Sequence, residues 1–389
     1  MPNNTVDVAV IGAGVYGASV AYHLGRAGVQ TTIFEQDTPG AGPTGSSSGM
    51  CRANYKNAFL AQIAAESMAM LEDFAALTEG GDAGFHRTGL LYLYPPEAAG
   101  TVPAQLAELA GLGIRLEPVG PAEMGRSYPY VSLAEGESAV WEAGGGYADP
   151  ALATSALFAD ARRHGVQTRL RTKVVRVQAR NGGGAVVHTA EGESVECARV
   201  LLAAGPWTRP LARGLGVELP LTVERHIVAL FNWGEAAPMR HGISDISGGY
   251  YLKAEAGSHF CLGSLLPDAS ADPDDFRRSV RVEEAMALAE RAVRRVPALE
   301  AATFTGGWAS VYDVSPDWQP VIGEIAEGVF VMAGTSGHGF KLAPALGRHI
   351  AAMVTGGDQE GGLAQFSPQR FTGGSEPLSA GFGTARILG

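Results

Sequence analysis

The spacing of apolar and polar positions predicts that the chain opens with a β-α-β unit. Apolar residues over 6–11 predict a strand, and residues 30–34 predict a second one. Between them lie a glycine turn and a helical apolar period over 16–27. A Gly- and Ser-rich loop over 39–49 follows. We therefore expect a nucleotide-type α/β start.

Further along, the pattern alternates between helices and strands. Asp149 followed by Pro150 is typical of a helix start, since an acid caps the helix and proline suits its first turn. A turn is expected at 181–184, and the tail after Gly356, rich in Gly, Ser and Pro, is expected to be loosely attached. Helices are predicted over 58–77, 103–112, 150–164, 283–295 and 343–354, and strands over 90–94, 168–177, 185–189, 199–203, 329–333 and in several pieces over 217–265.

Length and charge narrow the class of protein. The 389 residues are 46% hydrophobic, which is enough for two or three domains. A net charge of -11 argues against a nucleic-acid partner. The sequence has no apolar run of about 18 residues and no secretory signal, so we expect no membrane span. Three cysteines without metal-ligand spacing favour a cytoplasmic protein with free thiols and no metal site.

The glycine turn carries the first chemistry. Gly12, Gly14 and Gly17 have the spacing of a dinucleotide fingerprint, in which they serve the tight turn, the approach to pyrophosphate and helix packing. Glu35 ends the next strand, where an acid would bind ribose hydroxyls. Amides at the helix start would meet the phosphates. This pattern predicts dinucleotide binding without deciding between FAD and NAD.

Four later segments carry a resemblance that decides for FAD. They are residues 45–49, 202–207, 312–317 with 320–323, and 336–341. With the glycine turn, they make the chain resemble the FAD-dependent D-amino-acid oxidase superfamily, within it the glycine oxidase and sarcosine oxidase branch. The resemblance covers most of the chain.

The resemblance implies an α/β (α+β) fold: a discontinuous Rossmann-type FAD-binding domain of glutathione-reductase type with an inserted antiparallel-sheet substrate domain. The FAD-binding domain would comprise residues 1–85, 150–215 and 305–370. The substrate domain would comprise 86–149 and 216–304, with 371–389 as a tail. It also implies that Val174 faces the adenine through its backbone and that loop 336–340 meets the pyrimidine end of the flavin. The implied cofactor-binding residues are Gly12, Gly14, Val15, Tyr16, Gly17, Glu35, Gln36, Gly45, Ser46, Ser47, Ser48, Gly49, Val174, Ala204, Gly205, Trp207, Ser336, Gly337, His338, Gly339, Phe340 and Lys341.

The substrate site is expected to contain cations. By resemblance, Arg52 and Lys341 would bind a substrate carboxylate, for which an arginine fork is well shaped. The alternative for Arg52 is a structural ion pair or a surface arginine, and the alternative for Lys341 is a lysine at a helix start that satisfies a neighbouring group. Further candidates are Tyr251, Lys253, His226 and His338, with core packing or backbone hydrogen bonding as the alternative. Tyr251 and Lys253 share one side of a strand, so its neighbour Tyr250 must face the other way.

Three positions depart from the sarcosine oxidase pattern. Ser310 stands near the place of the flavin-linking cysteine, so we expect non-covalent FAD. Cys261 stands near the position at which sarcosine oxidases carry a lysine that promotes reaction with oxygen. Leu265 stands near the position of the histidine that follows that lysine. The acceptor therefore stays open between oxygen and an electron carrier.

The expected function is FAD-dependent oxidation of an amine or N-substituted amino acid, by hydride transfer to flavin N5, to give an imine that hydrolyses. No general base is assigned. The partner is a small-molecule amine or amino acid, and a homo-oligomer is compatible with the sequence. The alternatives are a hydroxylase, a biosynthetic flavoenzyme that acts on a modified amino acid, and a flavoprotein subunit of an electron-transferring dehydrogenase complex.

Overall fold

The computed structural model describes residues 5–180, 182–234, 239–266, 268–357, 362–372 and 378. The helices are α1 Val15–Arg26, α2 Ala58–Glu72, α3 Phe74–Leu77, α4 Val102–Gly111, α5 Pro121–Ser127, α6 Pro150–Arg163, α7 Thr208–Arg213, α8 Val282–Arg295 and α9 Ala343–Thr355. The strands are β1 Thr5–Ile11, β2 Thr31–Phe34, β3 Met50–Cys51, β4 His86–Arg87, β5 Leu90–Tyr94, β6 Glu117–Val119, β7 Ser138–Glu142, β8 Gly146–Tyr147, β9 Gln167–Arg169, β10 Val174–Ala179, β11 Ala185–Thr189, β12 Ser194–Leu202, β13 Thr222–Asn232, β14 Gly242–Asp245, β15 Tyr250–Ala254, β16 His259–Ser264, β17 Thr303–Val314, β18 Val321–Ala326 and β19 Val329–Ala333.

The first sheet has a parallel centre. Its parallel strands follow the order β9-β2-β1-β12-β19, with β18 antiparallel at one edge. The hairpin β10–β11 pairs with the N-terminal half of β12, whereas β19 pairs with its C-terminal half. Apolar residues of β1 alternate between two clusters, one shared with α1, α6 and α9 and the other with the hairpin and α7. Because both faces are covered, the central strands are buried, as parallel sheets require.

Steric contacts explain two glycines of the first turn. Gly12 has φ +102°, and a Cβ there would lie 2.5 Å from the Ala203 carbonyl oxygen. A Cβ on Gly17 would lie 1.8 Å from the Gly12 carbonyl oxygen, so α1 could not pack this close to β1 with a side chain there. The predicted roles of turn and packing glycine fit this geometry.

The second sheet is mostly antiparallel. Its order is β17-β13-β16-β15-β14-β5-β7-β6, with only the β14–β5 pair parallel. One face packs on α8, where the amphipathic pattern buries Ala285, Leu288 and Ala292. The other face turns towards the first sheet. The C-terminal half of β17 reaches the space between the two sheets, where the cavities lie.

Several predicted elements need correction. The single strand predicted over 168–177 is two strands, β9 and β10, which pair with different partners because Arg171 takes a left-handed conformation at φ +52°. The helix predicted over 58–77 breaks at Asp73, whose ψ of 46° is not helical. Asn181 of the predicted turn, and most of the predicted tail, lie outside the described residues.

The Asp149 cap is confirmed. Its side chain accepts hydrogen bonds from the amides of Ala151 and Leu152, both at 2.9 Å, and α6 begins at Pro150. In the part of the chain that the structure describes, no helix combines the length and the apolar character needed to cross a bilayer.

Candidate active site

A long cavity of about 670 Å³ runs along the carboxyl ends of the parallel strands. That volume lies within the usual range of small-molecule sites. It is lined by the turn before α1, the end of β2, the start of β10, the loop after β12, residues 310–313, and Gly337, Gly339 and Phe340. Open α/β sheets bind their ligands in this position.

The residues of this cavity fit FAD. Glu35 is held by the amides of Ala13 and Asp37, at 2.7 and 2.8 Å, so its carboxylate is fixed at the cavity wall with lone pairs left for ribose hydroxyls. The buried Tyr16 hydroxyl has no protein partner and lines the cavity. A buried polar group of this kind is normally satisfied, and a bound ligand would do so.

Most of the predicted cofactor residues lie at this cavity. Those lining it are Gly12, Gly14, Val15, Tyr16, Glu35, Gln36, Ser46, Ser47, Val174, Ala204, Gly205, Trp207, Gly337, Gly339 and Phe340. The remaining predicted cofactor residues either pack against other parts of the chain or lie beside the large cavity. Gly17, Gly45, Gly49 and Ser336 line neither this cavity nor the one beside it, while Ser48 and Lys341 line the second.

Residues 268–281, here called the strap, cross the outer side of the large cavity. Pro273, Asp274, Phe276 and Arg278 line it. The strap is attached at two points: Trp207 Nε1 donates to Asp274 Oδ1 at 2.8 Å, and the Ala309 amide donates to the Arg278 carbonyl at 2.7 Å. It therefore forms part of the wall that a cofactor would contact.

A second, small cavity of about 50 Å³ adjoins the first. Ser47, Tyr312, Gly337 and Phe340 line both. Arg52, Lys341 and Tyr251, three of the predicted substrate residues, line the small cavity together. The structure thus brings two cations and a phenol to one place beside the expected cofactor.

Arg52 is buried and held from several sides. Only 4% of the residue is exposed. Its guanidinium lies 4.2 Å from the centre of the Tyr55 ring, a cation–π distance, and Nη1 donates to the Asn54 carbonyl. Asn54 is itself fixed by Tyr94 and Gln105, at 2.7 and 2.8 Å. The fork is therefore preorganised.

Lys341 is buried beside that arginine. Burial, followed by the Arg52 charge, lowers the pKa of Lys341 to about 7. Its Nζ lies 3.4 Å from the His338 carbonyl oxygen. A carboxylate between Arg52 and Lys341 would favour the charged lysine, so anion binding and lysine protonation are coupled.

Tyr251 and Tyr250 face opposite sides of β15, as predicted. Tyr251 lies in the small cavity, across its register partner Gly263, where a Cβ would fall 2.2 Å from the tyrosine ring. Tyr250 packs in the cluster beneath α8. Leu265 also lines the small cavity, so its wall is apolar at that point.

Three other candidates do not reach either cavity. His226 stacks behind Tyr312, with ring centres 4.1 Å apart, and its Nε2 lies 3.2 Å from Glu224 Oε2. His338 Nε2 lies 2.9 Å from the Trp318 carbonyl oxygen, which fixes its tautomer. Burial lowers the pKa of His338 to about 3, so it is neutral. Lys253 pairs with Glu255 at 2.8 Å.

Two acids and one tyrosine of the site received no role from the sequence. Asp313 lines the large cavity and accepts the Gly334 amide at 2.6 Å, and burial raises its pKa to about 6. Tyr312 lines both cavities. The Glu142 carboxylate accepts the amide of Ala53, the residue next to Arg52, at 2.6 Å. The available signal for Glu142 was an acid that ends strand β7 directly after three apolar residues.

An acidic cluster lies elsewhere. Glu79, Asp160 and His164 have side-chain atoms close enough to share a metal ion. Arg163 bridges both carboxylates, so a cation of the chain itself already neutralises them. The cluster is explained as a local ion-pair group of α6.

A sequence model of the family described as FAD dependent oxidoreductase matches residues 7–353. Glycine oxidase of Geobacillus kaustophilus is 26% identical, over 94% of this chain and 97% of that protein. Its crystal structure superposes with a TM-score of 0.80 and 25% identity, over 94% of this chain and 99% of the other. This similarity confirms the predicted fold class.

Two further relatives support the same family. Monomeric sarcosine oxidase of Streptomyces avermitilis is 26% identical, over 94% of this chain and 98% of that protein. 4-Methylaminobutanoate oxidase (formaldehyde-forming) of Paenarthrobacter nicotinovorans is 30% identical over 95% of this chain, which spans only 46% of that enzyme's length. The predicted resemblance to the glycine oxidase and sarcosine oxidase branch is confirmed.

Proposed function

The chain belongs to the FAD-dependent oxidoreductase family, and from that premise we propose that it oxidises an amine or N-substituted amino acid bearing a carboxylate. FAD is its cofactor. The observation that carries the proposal is the small cavity, in which Arg52 and Lys341 adjoin the cofactor cavity. The relatives named above as glycine, sarcosine and 4-methylaminobutanoate oxidases support an amino-acid substrate.

The residues of the small cavity would bind and orient the substrate. The Arg52 fork and the Lys341 ammonium would hold the carboxylate, which leaves the amine-bearing carbon directed towards the shared wall. When bound, FAD supplies the two-electron acceptor for a hydride from that carbon. The amine nitrogen loses a proton, and water hydrolyses the resulting imine to carbonyl product and free amine. Positioning matters because a displacement of about 1 Å can cost ~100-fold in rate.

We propose that FAD is held without a covalent bond. Among the described residues that line the large cavity, none is a cysteine or a histidine. Ser310 lines it near the position at which sarcosine oxidases carry the flavin-linking cysteine. The three cysteines are all buried, and burial raises the pKa of the Cys51 and Cys261 thiols to about 12. Three unreactive free thiols also support the cytoplasm as the compartment.

The electron acceptor is either oxygen or a carrier. Cys261, the residue near the expected oxygen-activating position, reaches neither cavity. Lys341 instead lines the small cavity, which shares part of its wall with the large one. This arrangement gives no dedicated oxygen site among the described residues, so the acceptor is decided by experiment.

The test is an anaerobic titration of the bound flavin. Glycine, N-methylglycine and longer N-methyl amino acids are added in turn, with methylamine and dimethylamine as controls without a carboxylate. Loss of the visible flavin absorption with a carboxylate-bearing member only is the expected result. Bleaching by the simple amines alone would contradict the carboxylate site, and no bleaching by any member would contradict amine oxidation. Readmission of air then identifies oxygen as acceptor if the colour returns.

A further inference from the structure

The strongest unassigned feature of the small cavity is a buried acid beneath Arg52. Glu142 ends β7 and is 2% exposed. Its Oε1 accepts the Ala53 amide at 2.6 Å, and its Oε2 accepts the Tyr92 hydroxyl at 2.5 Å. Both carboxylate oxygens thus accept a hydrogen bond, and the amide that donates to Oε1 belongs to the residue next to Arg52.

The sheet explains why this acid is available there. In the β5–β7 register, Glu142 lies opposite Leu90 and Tyr92 opposite Val140. Because side chains alternate along a strand, Glu142 and Tyr92 share the face turned towards the cavity. Apolar residues at these positions would leave the Ala53 amide without a partner.

The charges of the cavity can be counted. Arg52 and Lys341 are the cations that line the small cavity. The Glu142 carboxylate interacts electrostatically with both of them. Burial raises the pKa of Glu142, and the opposing effects of the Tyr92 hydroxyl, the Ala53 amide and Arg52 offset this only in part. Both carboxylate oxygens accept a hydrogen bond, which is the arrangement that suits the ionised form. Cys51 and His338 also face Lys341, and both are neutral because burial raises the first pKa to about 12 and lowers the second to about 3.

We propose that Glu142 is a positioning residue that holds the Arg52 turn and, among the described residues, supplies the one negative charge beside the two cations. With Lys341 protonated, the empty site then carries one net positive charge. One substrate carboxylate then brings the site to neutrality. The site is thereby matched to monocarboxylates, and a dicarboxylate would leave excess negative charge in a buried place. This inference rests on the proposed carboxylate site.

The experiment measures anion binding rather than turnover. Acetate and malonate are titrated into the FAD-loaded protein, and dissociation constants are read from the change in the flavin spectrum over a range of pH. Glu142→Gln keeps the size and an acceptor for the Ala53 amide but removes the charge. We expect it to improve malonate binding relative to acetate by about tenfold, and to lower by about one unit the pH at which acetate affinity falls, since one pKa unit is a tenfold change.

Two companion variants keep the result interpretable. Glu255→Gln removes an acid of the same sheet that pairs with Lys253 outside the cavity, and should leave both quantities unchanged. Tyr92→Phe removes one donor to Glu142 and should shift both quantities in the same direction as Glu142→Gln, but less, so it serves if the glutamine variant loses FAD.

The outcomes separate the two proposals. Unchanged values in Glu142→Gln and Tyr92→Phe would overturn the role of Glu142, and so would wild-type protein that binds neither anion. If the anions bind as expected but no amine reduces the flavin, the oxidase or dehydrogenase function fails while the role of Glu142 stands.

Discussion

At the scale of single residues, the site depends on two cations that have lost most of their contact with water. Arg52 is fixed by a ring and a backbone carbonyl, and Lys341 by burial next to it. Both were predicted from sequence because they stand in motif positions. Glu142 was not, since its partners lie some 50 to 89 residues away along the chain and only the sheet register brings them together.

Replacing Arg52 should separate binding from cofactor retention. Arg52→Ala removes two charge-assisted hydrogen bonds to a carboxylate, each worth about 1.5–3 kcal/mol, and should raise KM for carboxylate substrates about 100-fold or more with FAD still bound. Arg52→Lys keeps the charge without the fork and should give an intermediate KM. Steady-state kinetics with flavin content measured in parallel checks this. Equal KM values for all three proteins would remove Arg52 from the site.

Lys341 should impose a pH limit on anion binding. Its pKa near 7 means that it is charged below that pH and loses its proton above it, so acetate should bind best below pH 7. Above it, the dissociation constant should rise by up to about tenfold per pH unit. Lys341→Met should bind acetate weakly with a flat profile, while Lys253→Met, which alters a lysine outside the cavity, should keep the wild-type profile. A flat wild-type profile would contradict the role of Lys341.

At the scale of elements, the sequence predicted best where one local signal sufficed. The Asp149 cap fixed the start of α6, and the glycine spacing fixed the turn between β1 and α1. The run over 168–177 was misread because alternation along the chain does not show that the chain leaves β9 at Arg171 and that β10 pairs at the opposite end of the strand order. The strap was missed altogether, since its contacts with Trp207 and Ala309 are long-range.

The strap should slow the release of FAD. Asp274→Ala removes the acceptor of Trp207 Nε1, a bond worth about 0.5–1.5 kcal/mol, so release should become about 2- to 12-fold faster. The FAD-loaded protein is diluted into buffer without FAD, and the change in flavin fluorescence over time measures the rate of FAD release. Asp275→Ala, a change at the neighbouring acid of the strap, is the matched control. An unchanged rate in Asp274→Ala would show that the strap does not retain the cofactor.

At the scale of the whole molecule, the cofactor cavity lies between two sheets whose facing sides contribute to one apolar cluster. Its lining comes from the first sheet, the strap and β17 of the second sheet. The sequence predicted both sheets through the family resemblance. It did not predict that β17 would pair along β13 of the second sheet and still line the cofactor cavity.

FAD should therefore stabilise the entire fold. A ligand at 100 times its Kd adds about 2.7 kcal/mol to the free energy of unfolding if it binds only the folded state. We expect Tm to rise steadily with added FAD, and the protein to unfold in one step when loaded. Differential scanning calorimetry at several FAD concentrations tests this. A Tm that is independent of FAD would contradict a cofactor site that spans both sheets.

The contact between Gly263 and Tyr251 means that a substitution on β16 can change the size of the substrate space. A methyl group at position 263 would occupy the place where the Tyr251 ring now lies. The ring would have to swing away from β16 and into the small cavity. A substitution on a strand that does not contact the substrate could thus change which substrate side chains fit. Substrate preference could therefore diverge in evolution without any change to Arg52 or Lys341.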